Sequence, residues 1–491
     1  MNTLAILLSD TYKQCHPRMY PDDIERLVSY WVPRRSMFPQ QLDEMVWFGF
    51  NGFLTQYLQD CFNDYFFNLP REAVADEYRR IMNIQIGESN YDLDRVLDLY
   101  DLGYLPLDIR ALPEGTKVPM GVPCIEITNT HPKFAWVAQW VECILQSELW
   151  KPCFHATIGD KYYEVAKYYY DKTVDDMIPE MACADFGMRG MSGIEEAIKC
   201  SAAWMLSFNK TSTIPAINYI EDNYNIDCQK EGIGLGGVSV EHSVVAAWYA
   251  LYGNEESLIE KLLTRDYPNS SISYVADTYD YWHNVEVVIP GLKDVILAHN
   301  GKFLIRPDSG NMVEIAVRTV KTLWNHFGGS INSKGYKVLD PHIGVIYGDG
   351  CTLKNVKEVW AALAEAGFAA NNIFYGVGAF CFTALVDEDK VIVGTRDTFG
   401  IAMKATYAEI GGKKVNLFKD PKTDTSKLKK SHKGCIVVKE ENGKLSATDG
   451  YTFEEARSQA GNKLVPFFKD GKLLNEDTFI DIRNRLHGGN N

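Results

Sequence analysis

Short apolar runs alternate with amphipathic stretches between about residues 180 and 390. In the clearest unit, an apolar run at 303–305 and a polar turn precede a stretch whose apolar residues recur every three or four positions. That spacing predicts a strand, a loop and a helix. Comparable apolar runs lie at 181–183, 238–240, 273–276, 343–347 and 372–376.

The series of these units predicts the architecture of the middle of the chain. Strands that alternate with helical segments usually pair in parallel, because each helix carries the chain back to the same edge of the sheet. With this many units, a closed barrel is favoured over an open sheet. We therefore predict an α/β fold with a (β/α) barrel-like catalytic domain at residues 179–390.

The two flanks show other patterns. Residues 1–178 mix aromatic-rich helical segments with a turn-dense, strand-like piece at 112–127. Residues 391–491 contain Asn442-Gly443 and Asp470-Gly471, each between apolar runs, and such pairs predict β-hairpins. We expect residues 1–178 and 391–491 to form one α+β domain built from both chain ends.

Composition narrows the functional classes. The 491 residues include 50 Lys and Arg against 65 Asp and Glu, and the net charge of -15 disfavours nucleic acid and anionic membranes as partners. Eleven cysteines without a C-x-x-C pair argue against a disulfide framework and a zinc site, and favour a reducing compartment. The chain start does not read as a signal peptide, so we expect a soluble, cytoplasmic protein.

Polar residues follow several of the predicted strands, where ligands bind in parallel α/β folds. Arg306 and Asp308 follow the run at 303–305, and they offer a cation for phosphate and a carboxylate for sugar hydroxyls. This pairing predicts a sugar-phosphate ligand. Other polar residues at strand ends are Asp185, Arg189, Glu241, His242, Ser243, Asp277 and Asp349.

Each of these signals has a plainer alternative. Gly348-Asp349-Gly350 could close backbone N–H groups on a phosphate at a helix N-terminus, or form an ordinary turn. His242 could act as base, proton donor or nucleophile, or be a hydrogen-bonded histidine. Phe186 could face an aromatic ligand or lie in the core, and the lysine-rich segment 413–433 could contact phosphate or form a solvated loop.

Taken together, these residues resemble the nicotinamide phosphoribosyltransferases, a family of type II phosphoribosyltransferases. The resemblance covers essentially the whole chain. It is carried by residues 9–13, 112–115, 185–190, 241–243, 277–280, 306–311, 348–350 and 418–421.

The resemblance implies a homodimer whose active sites lie at the subunit interface. Nicotinamide would stack between Phe186 of one subunit and Tyr12 of the other, with Arg306 near its carbonyl. Asp308 and Asp349 would hold the ribose hydroxyls. The backbone of Gly348, Gly378 and Ala379 would bind the 5′-phosphate.

The same resemblance implies a set of cations for pyrophosphate. Arg189 and Arg306 would come from one subunit, and the other subunit would supply Arg34, Arg396, Lys404, Lys419 and Lys427. Mg²⁺ would be held mainly by the substrate phosphates.

The implied reaction transfers a ribosyl-5-phosphate group from 5-phosphoribosyl 1-pyrophosphate to nicotinamide in NAD salvage. Nicotinamide mononucleotide and pyrophosphate would be the products. ATP would stimulate the reaction by phosphorylating His242, and Asp277 would orient that histidine.

The chain departs from the family pattern at two places. Ser212 falls where the family has an aspartate that accepts a hydrogen bond from the carboxamide, and nicotinate-specific relatives carry serine there. Ala379, Phe380 and Ala402 replace residues expected near the donor phosphates.

These departures leave alternatives open. The base could be nicotinate or quinolinate, or the donor could be larger, such as ADP-ribose pyrophosphate, which would give NAD directly. A protein of this fold that binds nicotinamide without catalysis is a further possibility, although the intact Arg306, Asp308, His242 and Asp277 set weighs against it.

Overall fold

The structure is a computed structural model that describes residues 3–176, 178–420, 422–423 and 431–488. Its packing divides the chain into two compact units. Unit 1 comprises Met1–Phe154, Asp222–Ile226 and Gly394–Asn491, and unit 2 comprises His155–Glu221 and Asp227–Val393. The domain limits expected from the sequence, 1–178 plus 391–491 for one domain and 179–390 for the other, stay a prediction.

The N-terminal part of unit 1 mixes short strands with helices. The strands are β1 (Ile24–Pro33), β2 (Glu44–Val46), β3 (Leu107–Ala111), β4 (Lys117–Pro119) and β5 (Ile125–Asn129). The helices are α1 (Thr11–Cys15), α2 (Phe50–Phe53), α3 (Arg71–Ile86), α4 (Leu93–Leu102), α5 (Val137–Trp140) and α6 (Glu142–Thr173), the last of which ends in unit 2.

Most strands of unit 2 alternate with helices as predicted, and two antiparallel hairpins are added to them. The strands are β6 (Cys183–Phe186), β7 (Lys210–Thr211), β8 (Val238–Ser239), β9 (Ile272–Val275), β10 (Phe303–Arg306), β11 (Gly329–Ile331), β12 (Lys337–Leu339), β13 (Ile343–Tyr347), β14 (Ile373–Gly378), β15 (Ala384–Asp387) and β16 (Lys390–Val393). The helices are α7 (Ile194–Trp204), α8 (Pro215–Tyr224), α9 (Cys228–Glu231), α10 (His242–Tyr252), α11 (Glu256–Lys261), α12 (Tyr281–His283), α13 (Ile289–Gly291), α14 (Lys293–Ala298), α15 (Met312–Phe327), α16 (Leu353–Glu365) and α17 (Ala379–Thr383). Helix α8 ends in the part of the chain that belongs to unit 1.

Seven strands of unit 2 form one parallel sheet in the order β7-β6-β14-β13-β10-β9-β8. The sheet curls, and a parallel bridge joins Lys210 on edge strand β7 to Leu235, which leads into the other edge strand. The predicted barrel-like α/β core is therefore confirmed. Since all seven strands run the same way, their carboxyl ends meet at one edge.

The chain returns to unit 1 with β17 (Ile401–Ile410), β18 (Lys413–Asn416), β19 (Cys435–Glu441), β20 (Lys444–Tyr451), β21 (Val465–Lys469), β22 (Lys472–Leu473), α18 (Phe453–Ser458) and α19 (Phe479–His487). Its main sheet has the order β18-β17-β1-β5-β3-β21-β22 and so combines strands from both chain ends. Both predicted hairpins are confirmed, with Asn442 and Gly443 at φ of 52° and 73° between β19 and β20. Asp470 and Gly471 occupy the same left-handed region between β21 and β22.

The side chains between the sheets and helices are mainly apolar. The largest fully buried ones include Trp31, Trp47 and Trp140 in unit 1, and Trp204 and Trp360 in unit 2. No disulfide links the cysteines, all of which lie within the described residues. Across the described part of the chain, no helix combines the length and hydropathy that a membrane span requires.

Candidate active site

The carboxyl edge of the parallel sheet in unit 2 collects the polar residues that follow its strands. Phe186 ends β6, Arg306 ends β10, and Gly378 ends β14. His242 begins α10 just after β8, and Asp277 follows β9. The structure therefore places most of the predicted site residues on neighbouring strand ends.

Phe186 owes its position to a glycine on the adjacent strand. A Cβ atom at Gly376 would lie 2.1 Å from the Phe186 ring, so only a residue without a side chain leaves room for the ring there. Ser212 directly follows β7 on the other side of β6, and its N–H donates to the Asp185 carbonyl at 2.9 Å. Phe186 and Ser212 thus lie on adjacent strand ends, and both are accessible from solvent.

Asp185, which precedes Phe186, fixes the local backbone. Its buried carboxylate accepts hydrogen bonds from the Gly187 N–H at 2.6 Å and from the hydroxyls of Thr211 and Thr213 at 2.8 and 2.9 Å. These three donors satisfy the carboxylate, so we assign Asp185 to holding the turn that carries Phe186.

Arg306 is held by two acceptors from the segment around β8. One guanidinium nitrogen donates to the Ser239 hydroxyl at 3.0 Å, and the other donates to the Val240 carbonyl at 2.7 Å. Burial lowers the pKa of Arg306, and the nearby carboxylates of Asp308 and Asp277 oppose that shift. Arginine side chains stay protonated in proteins, and the two hydrogen bonds fix the direction of this guanidinium.

Asp277 organises the loop that carries Asp308. One of its carboxylate oxygens accepts from the Asp308 N–H at 3.0 Å and from the Ser309 hydroxyl at 2.7 Å. The Asp277 side chain is buried, whereas that of Asp308 is 32% exposed and can meet a ligand.

His242 faces both carboxylates and a hydroxyl. Its Nε2 lies 3.5 Å from Asp308 Oδ2 and 4.0 Å from Asp277 Oδ1, and its Nδ1 forms a 3.0 Å hydrogen bond with the Thr278 hydroxyl. The role of Asp277 in orienting His242 stays a prediction. In this structure the direct hydrogen bond to the ring comes from Thr278.

A polar cleft of about 360 Å³ adjoins Asp308. Asp308, Asp349, Tyr347, Asn355 and Glu358 are among the residues that line it. Gly348 packs so closely that a Cβ atom there would lie 3.2 Å from both the Arg306 side chain and an Asp308 carboxylate oxygen. The cleft therefore brings two predicted ribose-binding carboxylates together beside a glycine.

Ala379 and Phe380 begin α17, next to the loop of Arg189. A Cβ atom at Gly190 would lie 2.3 Å from the Ala379 methyl group, so the two backbones approach closely. Phe380 is 57% exposed, and Arg189 is also exposed. These side chains are open to a ligand at the same edge.

Unit 1 has a cleft of its own, of about 380 Å³, along the paired strands β1 and β17. Arg34, Arg35 and Lys404 supply positive charge to its lining, which also contains Ala402, His432 and the Asp449 carboxylate. The pairing of Val32 with Ala402 and of Tyr30 with Lys404 explains why residues far apart in sequence meet there. Burial lowers the pKa of Arg34, and the charges of Arg35 and Arg396 lower it further.

The remaining residues predicted to face a partner subunit lie in the same unit. Tyr12, on α1, is 49% exposed. Lys419 is exposed and joins Ser431 of the cleft by two hydrogen bonds, of 2.8 and 3.0 Å. Lys427 lies outside the described residues.

Comparison with known sequences shows which family the chain belongs to. The profile described as the nicotinate phosphoribosyltransferase (NAPRTase) family matches residues 181–460. The profile described as the nicotinamide phosphoribosyltransferase N-terminal domain matches residues 4–109. The chain belongs to the nicotinate phosphoribosyltransferase family.

Several relatives of this phosphoribosyltransferase chain are named nicotinamide phosphoribosyltransferase. The protein of that name from Acinetobacter baylyi is 35% identical, over 97% of this chain and 96% of its own length. Those from Xanthomonas campestris and Mycoplasma pneumoniae are each 27% identical, over 97% and 86% of this chain and 97% and 93% of their own lengths.

Solved structures show the same fold at low sequence identity. Human nicotinic acid phosphoribosyltransferase covers 98% of this chain and 93% of its own, with a TM-score of 0.59 and 14% identity. Nicotinate-nucleotide pyrophosphorylase from Pyrococcus furiosus gives the same TM-score and identity over 98% of this chain and 94% of its own.

Sequence analysis of this phosphoribosyltransferase chain missed three residues of the site. Ser239 anchors Arg306, Ser309 bonds Asp277, and Thr278 bonds His242. Ser309 and Thr278 lie within the motifs 306–311 and 277–280, and Ser239 lies within the apolar run 238–240, so the sequence marked their positions but not their contacts. Their contacts depend on the register of neighbouring strands, which periodicity does not give.

Proposed function

We propose that the protein transfers the phosphoribosyl group of 5-phosphoribosyl 1-pyrophosphate to nicotinamide, giving nicotinamide mononucleotide and pyrophosphate in NAD salvage. The convergence of Arg306, Asp308, Asp277 and His242 at the sheet edge where β6 also ends at Phe186 carries the proposal. The names of the relatives support the same reaction.

The chemistry of the transfer requires opposite charges on the two sides of the ribose. Breaking the bond from C1′ to pyrophosphate develops positive charge on the sugar and negative charge on the leaving group. Asp308 offers a partly exposed carboxylate to the ribose, and Arg306 and Arg189 offer cations to the leaving group. Because Arg306 is already fixed by two hydrogen bonds, it needs little reorganisation during the reaction.

The pyridine would stack on Phe186, which Gly376 holds against the neighbouring strand. We propose that Tyr12 of the partner subunit covers the other face of the ring. Two aromatic faces contribute about 0.5–1.5 kcal/mol beyond burial and aim the ring nitrogen at C1′.

Ser212 bears on the choice of base. Its place next to β6 puts a neutral hydroxyl side chain on the strand end adjacent to Phe186. A neutral residue there does not repel a nicotinate carboxylate as an aspartate would. We propose nicotinamide as the substrate, because the relatives over nearly the full chain length carry that name.

The donor is proposed to be 5-phosphoribosyl 1-pyrophosphate, and the comparisons do not favour the larger donor considered from the sequence. Asp349 and the backbone of Gly348, Gly378 and Ala379 would bind its ribose and 5′-phosphate. Asp308 and Asp349 offer oxygen ligands to Mg²⁺, but among the described residues they belong to no group of three ligands close enough to hold an ion alone. Donor phosphates would complete its shell, and the ion would neutralise the leaving pyrophosphate.

We further propose a homodimer with shared sites. Helix α10 begins at His242 and is apolar on every side, yet Val245 is its only buried residue in the described chain. Leu251 and Tyr252 are 73% and 53% exposed. A helix that is apolar all round is normally covered, and a partner covering α10 would lie next to the site. That partner would supply Arg34, Arg396, Lys404, Lys419 and Lys427.

ATP is proposed as a stimulating co-substrate. The imidazole of His242 would accept the γ-phosphoryl group while ADP leaves, and the bond to Thr278 would hold the ring during transfer. The absence of disulfides among the cysteines agrees with the cytoplasmic location that we propose.

The test is turnover of the purified protein with nicotinamide, nicotinate or quinolinate as base. Each base is offered with 5-phosphoribosyl 1-pyrophosphate or with ADP-ribose pyrophosphate, and mass spectrometry identifies the product. We expect nicotinamide mononucleotide to form with the highest kcat/KM. NAD as the main product, or no turnover of nicotinamide with either donor, would contradict the proposal.

A further inference from the structure

Beneath Tyr12, unit 1 contains a buried ion pair. Lys13 follows Tyr12 on α1, its side chain is 2% exposed, and its Nζ lies 2.6 Å from Glu142 Oε2. A lysine this deeply buried is rare unless a carboxylate pairs with it. The pair therefore ties the segment that carries Tyr12 to the start of α6.

Glu142 is itself held from several directions. Its Oε2 also accepts from Gln139 Nε2 at 2.6 Å, and its Oε1 accepts from Gln146 Nε2 at 3.1 Å. Gln139 in turn accepts a 2.8 Å hydrogen bond from the hydroxyl of Ser29 on β1. The carboxylate is thus anchored to α5, α6 and the central sheet of unit 1.

The same carboxylate reaches a second cation. Glu142 Oε1 lies 3.9 Å from the Nζ of Lys404, which is 47% exposed and lines the cleft on β17. One oxygen of Glu142 therefore faces the lysine under Tyr12, and the other faces a lysine of the cleft.

The charge of Glu142 also affects two tyrosines, one on α1 and one shortly after it. Burial, followed by the charge of Glu142, raises the pKa of both Tyr12 and Tyr20 to about 12. Tyr12 packs edge-on against His16 at a centroid distance of 5.1 Å, and Lys13 Nζ lies 5.2 Å from the centre of the Tyr12 ring. The Lys13–Glu142 ion pair thus affects the surroundings of the Tyr12 ring, and it also holds the backbone that carries Tyr12.

We propose that Glu142 is a positioning residue that holds Tyr12, through Lys13, and Lys404 in a fixed relation to each other. This inference rests on the proposed function, in which Tyr12 covers the pyridine and Lys404 binds donor phosphate. One carboxylate would then align the two groups that unit 1 supplies to different parts of the reaction. Lys13 pairs with Glu142 at 2.6 Å and compensates its charge, so the 3.9 Å contact would orient Lys404 while its positive charge still attracts phosphate.

The test compares Glu142→Gln with a double variant, Lys13→Met/Glu142→Gln. Glu142→Gln keeps the side-chain shape and removes the charge, so we expect KM for nicotinamide and for the donor to rise about tenfold each. We expect kcat to change less, because the reacting groups lie on unit 2. Asp101→Asn, which removes an exposed partner of Arg71, is the matched control and should leave both KM values unchanged.

The double variant separates positioning from stability. It leaves no buried unpaired lysine, so thermal unfolding should return towards that of the wild type. We expect KM for the donor to stay above that of the wild type, because the Glu142 carboxylate that orients Lys404 is still absent. Recovery of the donor KM together with stability, or unchanged KM values in Glu142→Gln, would overturn the proposal.

A binding measurement keeps this test independent of the reaction. Calorimetry with inorganic pyrophosphate should show affinity about tenfold weaker in both Glu142 variants than in the wild type. If the wild type failed to turn over nicotinamide, the proposed function would fall. Even in that case, equal affinity for pyrophosphate in the wild type and in both Glu142 variants would rule out the positioning role of Glu142.

Discussion

The two units present their charged groups in different ways. In unit 2, the guanidinium of Arg306 is directed by two hydrogen bonds, and the Asp308 backbone is fixed by Asp277. In unit 1, Lys404 is 47% exposed, and its Nζ lies 3.9 Å from a carboxylate oxygen of Glu142. The difference teaches that unit 2 directs its charged groups through several short hydrogen bonds, whereas this lysine of unit 1 is directed by one longer ion-pair contact.

The largest expected effect comes from removing a preorganised charge. Arg306→Ala should lower kcat/KM for nicotinamide by about 100-fold, because the leaving group loses a fixed cation. Steady-state kinetics measures this, and circular dichroism checks the fold. Arg265→Ala, at an exposed ion pair of the same unit, serves as control. If Arg306→Ala kept a turnover near that of the wild type, the fixed position of Arg306 would not matter for the reaction, and the contrast between the charged groups of the two units would have no functional meaning.

The next effect comes from the glycine behind Phe186. Gly376→Ala puts a methyl group 2.1 Å from the ring as it now lies, so the ring must move. We expect KM for nicotinamide to rise about 30-fold, with a smaller change in donor KM. Gly291→Ala, where nothing lies within 4 Å of the added methyl, should leave both values as they are. An equal rise in both KM values would show that Phe186 does not serve the base alone.

Ser212 should give a smaller effect that depends on the base. Ser212→Asp places a carboxylate on the strand end adjacent to Phe186, so turnover of nicotinate should fall about tenfold relative to nicotinamide. Competition between the two bases, followed by mass spectrometry, measures the ratio. An unchanged ratio would mean that Ser212 does not contact the substituent of the pyridine ring.

The smallest effect concerns Thr278. Thr278→Val keeps the shape and removes the hydrogen bond to His242, so ATP stimulation should fall about fivefold while transfer without ATP persists. Thr264→Val is the control, because the Thr264 hydroxyl donates to the Glu260 carbonyl four residues earlier, within the same helical segment. Rates measured with and without ATP give the stimulation. Full stimulation in Thr278→Val would leave Asp277 as the orienting residue.

The sequence predicts much of this arrangement, and the gaps have physical causes. Strands β9, β10, β13 and β14 match apolar runs, because parallel strands buried on both faces read as continuous apolar segments. Strand β7 has two residues, Lys210 and Thr211, and such a short polar strand leaves no periodic signal.

The contacts of the site were harder to predict than its members. Phe186 could be singled out, but its dependence on Gly376 follows from the pairing of β14 with β6. In unit 1, the meeting of Arg34 with Lys404 depends on β1 pairing with a strand about 370 residues later. Pairing between distant segments is set by tertiary packing, which local patterns do not encode.

The most direct test of the account is the stoichiometry of one reaction. Purified protein is incubated with nicotinamide and 5-phosphoribosyl 1-pyrophosphate, and the nicotinamide mononucleotide formed and the pyrophosphate released are measured together. The account predicts equal amounts of both products, and about 100-fold less of each in Arg306→Ala over the same interval at low substrate concentration. Pyrophosphate release without mononucleotide, or binding of nicotinamide with neither product, would contradict it.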